Sequence, residues 1–276
     1  MGFLDVFRGS KPKLSVAAEP ADARPGDEVR VRVTVEGEID DKAQGARAGV
    51  RCVNEYLKRE YDRRDDEWEE VWRTVALHED AQDLPLAAGE HELTFTLPSD
   101  LPPSSAGAVS WAAFASIDRR RGMDASAGTP IAVRAPAPAG AAERRSVAPG
   151  QDGVGFEALP AAAAAGSVVD GTLTVTPADD VKTTGIRVTL TRTRTYTDDG
   201  NQIVRRDDAA EVEVAGGQEL APGQAHSFPF SVALPPDAPP TAHAPHAVVE
   251  WWVRGTVARR MRGDLEASAP LTVYDG

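Results

Sequence analysis

The reading of this chain turns on V-S-W-A-A-F-A-S-I-D-R-R, residues 109–120. Val109, Trp111, Ala113, Ala115 and Ile117 fall on one side, and Ser110, Ala112, Phe114 and Ser116 on the other. That period of two is how a pleated strand buries a single face. At 249–260 comes V-E-W-W-V-R-G-T-V-A-R-R, with Val249, Trp251, Val253, Gly255 and Val257 on the repeated face and paired arginines again at the end. Trp251 follows Trp111 by 140 residues, and Arg259 follows Arg119 by the same interval. The chain contains one unit twice.

The copy extends beyond that strand. P-G-D-E-V-R-V-R-V-T-V (25–35) lies 140 residues before A-G-S-V-V-D-G-T-L-T-V (165–175), with Gly26 over Gly166. Tyr56 and Tyr196, Asp124 and Asp264, Ile131 and Leu271, and Val133 and Val273 match at that offset too. Leu97-Pro98 pairs instead with Leu234-Pro235, at an offset of 137, which one short loop insertion explains. In each copy about seven strands, with turn signals roughly every 8–12 residues and no long helical pattern, predict an all-β fold. The expected architecture is two tandem immunoglobulin-like β-sandwiches: residues 1–134, with 1–13 as a short leader, and residues 154–276. Between them A-P-A-P-A-G-A-A-E-R-R-S-V-A-P-G-Q-D-G (135–153) is unpatterned and reads as a proline/alanine linker.

Bulk properties narrow the function classes. The 276 residues allow two cores, and 41% hydrophobic with 26% charged residues is a globular composition. A net charge of −13 argues against nucleic acid as a partner, because phosphate neutralisation needs a basic face. Cys52 is the single cysteine, read as a small buried hydrophobe rather than a reactive thiol, and nothing demands an oxidising compartment. No apolar run is long enough to span a bilayer, and M-G-F-L-D-V-F-R has neither a signal-peptide h-region nor a myristoylation pattern. The leader is expected to pack or fray rather than peg a membrane, and the expected compartment is the cytoplasm.

One segment reads two ways. In L-K-R-E-Y-D-R-R-D-D-E-W-E-E-V-W-R-T-V-A-L (57–77), Trp68 and Trp72 are spaced for a helix. The matching part of the second copy, T-Y-T-D-D-G-N-Q-I-V-R-R (195–206), carries D-D-G-N, a strong hairpin turn. Since the copies should share topology, 57–77 is expected to be a long charged hairpin, with the helix as the alternative.

The order of parts resembles a known plan. A first sandwich opens with the 25–35 turn and strand and is followed by a proline-bounded strand, a strand ending I-D-R-R, and the closing T-P-I-A-V; a second sandwich repeats the scheme. This resembles the arrestin architecture and, more narrowly, the bacterial sporulation-control family of arrestin-like proteins (the stage-zero M family), whose start is similar to M-G-F-L-D-V-F. The resemblance implies a cytoplasmic, non-enzymatic regulator, a scaffold or adaptor acting through protein contacts. The proline/alanine linker and the charged hairpin depart from the pattern, so no partner carries over. The family supplies no catalytic residues, and no cofactor is expected.

Four sets of residues are candidates. Arg119, Arg120 and Arg121, repeated as Arg259, Arg260 and Arg262, place guanidinium forks at the same turn of each copy, where they would clamp a phosphate or carboxylate. The plainer reading is a solvated turn balanced by Asp118, Asp124 and Asp264. In the hairpin, Tyr61, Asp65, Asp66 and Trp68, with Trp72, form an acidic-aromatic group suited to a protein contact. Trp111 and Trp251 are expected core anchors. His243 and His246 lack further ligands for a metal, while Asp198, Asp199 and Asn201 leave a calcium- or ligand-binding sandwich module as the alternative function.

Overall fold

The computed structural model describes residues 12–39, 41–62, 65–120 and 123–276, and every regular element among them is a strand. The expected leader contacts of Phe3, Leu4, Val6 and Phe7 lie outside the described residues. The chain divides into two compact units. One takes the residues up to Glu55 with Arg73–Ser104 and Val109–Arg134; the other takes Tyr56–Trp72, Ser105–Ala108 and Ala135–Gly276.

In the first unit, β1 (Lys13–Glu19), β3 (Glu28–Glu36) and β6 (Gly89–Thr96) form an antiparallel sheet in the order β1-β3-β6. The second sheet runs β2-β8-β7-β4-β5, from β2 (Asp22–Ala23), β8 (Ala125–Val133), β7 (Val109–Arg119), β4 (Ala43–Asp62) and β5 (Glu67–Asp83). The alternation of 29–35 holds: Val29, Val31, Val33 and Val35 are buried, while Arg30 and Arg32 reach Glu92 on the outer face. β1 packs across onto β7 and β8, closing a core that holds Phe95, Cys52, Trp111, Ile117 and Ile131. Burial pushes the Cys52 thiol up to about 12, which keeps it protonated. Phe114, expected on the outer face, is buried there beneath the guanidinium groups of Arg47 and Arg51, at 5.9 and 5.5 Å from its ring centre. Cation–π stacking and the long arginine stems shelter a ring that alternation alone assigns to water.

The second unit repeats this order. β10 (Val154–Pro160), β12 (Val168–Val175) and β16 (His226–Ala233) pair as β10-β12-β16. Facing them are β11 (Ala162–Ala164), β19 (Leu265–Tyr274), β18 (Ala247–Arg259), β13 (Val181–Asp198) and β14 (Asn201–Gly216), in the order β11-β19-β18-β13-β14. Two short strands, β15 (Glu219–Leu220) and β17 (Ala242–His243), flank β13 and β18. Even the parallel pairing of β2 with β8 recurs in β11 with β19. Phe156, Leu159, Leu173 and Phe230 from one sheet meet Ile186, Leu190, Trp251, Val253 and Leu271 from the other in one continuous core. Each such side chain contributes about 1.5–3 kcal/mol by burial.

The stretch 135–153 is not a free tether. Its residues Arg144–Val147 form β9, which adds to the sheet beside β10, and Arg144 grips the Asp170 carboxylate with two nitrogens at 2.9 and 3.0 Å. Ala135 N donates to Asp275 Oδ2 at 2.6 Å. Small and proline-rich composition signalled flexibility, but the exposed edge of β10 offered backbone partners that R-R-S-V satisfies.

Both tryptophans are core anchors, each 2% exposed. Their seating is duplicated too: Trp111 Nε1 donates to Pro102 O at 3.0 Å and Trp251 Nε1 to Pro239 O at 2.9 Å. Trp251→Ala should therefore cost about 3–5 kcal/mol in denaturant unfolding. A Cβ on Gly255 would lie 2.3 Å from Leu173 Cδ1 and 3.2 Å from Phe156 Cζ. Gly255→Val should overpack the core and cost about 1–3 kcal/mol in the same measurement; unchanged midpoints would contradict the packing.

Candidate functional site

The 57–77 stretch is a hairpin, with β4 and β5 adjacent in one sheet. Its counterpart turns as the sequence required: Asp199 and Gly200 both have positive φ (46° and 82°), the type I′ geometry of a two-residue turn. Residues Tyr56–Trp72 belong to the second unit, and four side chains root them there. The Tyr56 ring stacks on His246 with centroids 4.5 Å apart and planes 19° from parallel. The Lys58 ammonium lies 2.7 Å from Asp198 and 3.6 Å from Asp199. Glu70 pairs with Arg205 and lies 3.6 Å from Arg59. Trp72 meets Tyr196 edge-on, at 5.6 Å and 82°.

Beneath this root sits a polar group that sequence reading did not pick out. Along β13 the inward positions read Ile186, Val188, Leu190, Arg192, Arg194, Tyr196. Arg192 and Arg194 both reach Asp207 Oδ2, at 3.1 and 2.9 Å. Burial pushes the Asp207 carboxyl up, and the hydrogen bond from Arg192 with the charge of Arg194 outweighs it, holding the group below its ordinary value. Burial raises the Tyr196 phenol against the pull of Arg194. The signal was present in T-L-T-R-T-R-T-Y (189–196): two arginines occupy positions that an alternating strand sends inward. The first copy holds Cys52 and Asn54 there, both buried.

At the hairpin's far end the side chains are free of the core. Tyr61 is 45% exposed and Trp68 70%, their rings 5.5 Å apart and tilted by 57°. The Tyr61 hydroxyl donates to Asp66, which has the positive φ (59°) that a turn demands and Asp tolerates. Asp62, Asp65 and Glu69 carry carboxylate oxygens within 4.8 Å of one another beside the rings. The structure thus brings together Tyr61, Asp65, Asp66 and Trp68. Trp72, half exposed, contributes to the root rather than to a core.

The arginine turns are built alike and are largely occupied with themselves. Arg119 N donates to Asp124 Oδ1 at 2.8 Å, and Arg259 N to Asp264 Oδ1 at 3.1 Å. The Arg259 guanidinium closes on Gly263 O, with Nε at 2.6 Å. Arg120, Arg260 and Arg262 are exposed, and Arg121 lies outside the described residues. Asp198 and Asp199, the carboxylates considered for calcium, face the Lys58 ammonium, whose pKa the Asp198 hydrogen bond raises. A cation there would have to displace it.

These features describe an all-β protein of sandwich type whose exposed feature is a rooted aromatic hairpin. Residues 154–274 match the family model described as the SpoOM protein, the sporulation-control family that the sequence resembles. Compared with curated proteins, the chain has no match. No helix among the described residues is long and apolar enough to cross a membrane.

The Arg205 hydrogen bond, followed by its charge and that of Arg59, holds the Glu70 carboxyl below its ordinary value of 4.5. The anchorage it contributes is complete above that value and lost as pH falls through the lower folded value. Amide exchange across 56–62 and 67–72, corrected for intrinsic rates, should accelerate on acidification below the ordinary value. In Glu70→Gln it should already be fast at neutral pH; protection independent of both would contradict the anchor.

Proposed function

We propose that this protein is a non-enzymatic adaptor of the sporulation-control type, working in the cytoplasm by presenting the tip of its hairpin to a protein partner. The observation that carries the reading is the Tyr61–Trp68 pair, left in solvent on a hairpin whose root is fixed by stacking and ion pairs. An exposed indole and phenol are costly to leave wet and are the residue types that anchor interfaces. A fixed root lowers the ordering cost that binding must otherwise meet. Asp65 and Glu69 beside the rings favour a partner face carrying lysine or arginine, which meets the carboxylates and stacks on the rings. A buried, protonated Cys52 thiol supports a role without nucleophilic chemistry.

Affinity capture with crosslinking from the native cell, comparing the unaltered chain with Tyr61→Ser/Trp68→Ser, tests this. The variant should lose at least one partner while keeping its far-ultraviolet spectrum, because both side chains lie outside the core and cost little stability. Asp65→Lys/Glu69→Lys should weaken the same contact and reverse its salt dependence. Identical partner sets for all three chains would overturn the proposal.

A further inference from the structure

The outer face of the β14-β13-β18-β19 sheet in the second unit carries a trough of about 330 Å³, at the lower end of small-ligand sites. It is lined by Thr193, Arg206, Trp252, Arg254, Glu266 and Ser268. The strand register explains its floor. In the W-W pair, Trp251 turns into the core, so Trp252 must turn outward, between Thr191 of β13 and Pro270 of β19. Its ring is half-buried, and its indole N–H has no acceptor among the described residues.

The fold does not require these side chains. At the matching positions of the first copy stand Ala112 for Trp252, Ser126 for Glu266 and Gly128 for Ser268, in strands of the same order. The indole and its polar rim are therefore particular to the second copy.

The rim carries both charges and both hydrogen-bonding senses, with Arg206, Arg254 and Glu266 in the lining and Asp208 just outside it. Arg254 lies 3.2 Å from Glu266, and Asp208 accepts from Thr191 Oγ1 at 2.8 Å beside Arg206. Arg206 has no ion pair among the described residues. Guanidinium donors, the Glu266 carboxylate and the hydroxyls of Thr191, Thr193 and Ser268 thus surround one flat apolar surface. A phosphate would meet the Glu266 carboxylate as well as the arginines. A neutral ring carrying hydroxyls, each both donor and acceptor, meets every group with its complement and lays its C–H face on the indole.

We infer that this trough is a binding site for a neutral saccharide of one or two pyranose rings, with Trp252 as the stacking platform and Arg206, Arg254 and Glu266 as hydroxyl partners. The site shares no residue with the hairpin tip.

The full chain should be screened on a glycan array. The sugars retained there should then be titrated by calorimetry beside maltose, cellobiose, N,N′-diacetylchitobiose and inorganic phosphate. At least one neutral saccharide should bind saturably. Trp252→Ala should weaken it roughly tenfold or more, Trp252→Phe should recover part of the loss, and Glu266→Gln should weaken it without unfolding the chain. Ser268→Trp, which fills the trough and leaves the platform in place, should abolish binding. Phosphate binding in place of sugar, a silent array, or sugar binding that survives Trp252→Ala and Ser268→Trp would each overturn the inference. Tyr61→Ser/Trp68→Ser should leave sugar binding unchanged, so failure here is distinct from failure of the proposed protein contact.

Discussion

The interaction on which the structure depends is the seating of one indole per copy. A tryptophan placed mid-strand supplies more apolar surface than any other residue, but burying it strands an N–H that must find an acceptor. In both copies the proline loop before the strand provides it, through Pro102 O and Pro239 O. Proline lacks an N–H of its own, so the loop offers carbonyls without adding donors to be satisfied. The same loops then bind the closing strands: Val133 N donates to Ser104 Oγ and Val273 N to Thr241 Oγ1. Ring, loop and closing strand form one unit, and the chain uses it twice.

The copies differ at interior positions as well as on their outer faces. The first has Cys52 and Asn54 in the interior, where the second places Arg192 and Arg194 and bonds both to Asp207. Two guanidiniums drawn largely out of water are costly unless paired, and both hydrogen-bond to the one Asp207 carboxylate while keeping an edge in solvent. The second copy also turns an indole outward where the first has alanine. Each departure adds chemistry to a face that the template leaves plain.

The hairpin carries such a surface furthest from the sheets. β4 runs for 20 residues and β5 for 17, against about 5–6 for an ordinary strand. The excess length carries Tyr61 and Trp68 away from any core, while Tyr56, Lys58, Glu70 and Trp72 hold its base. A fixed stem with a wet aromatic tip is the arrangement expected of a recognition element.

What the sequence by itself determined was whatever repeats locally: the period of two, the 140-residue offset, the D-D-G-N turn and the two inward tryptophans. These follow from backbone geometry and nearest neighbours, which a string of residues records. It also held the arginines at inward positions of β13, legible as an anomaly although their partner was not. Only the tertiary structure decided which distant groups meet: that 144–147 would pair as a strand, that Arg47 and Arg51 would roof Phe114, and that 56–72 would root beside β13 and β14. Such pairings are chosen by the shape and charge of surfaces that exist only once the sheets have formed.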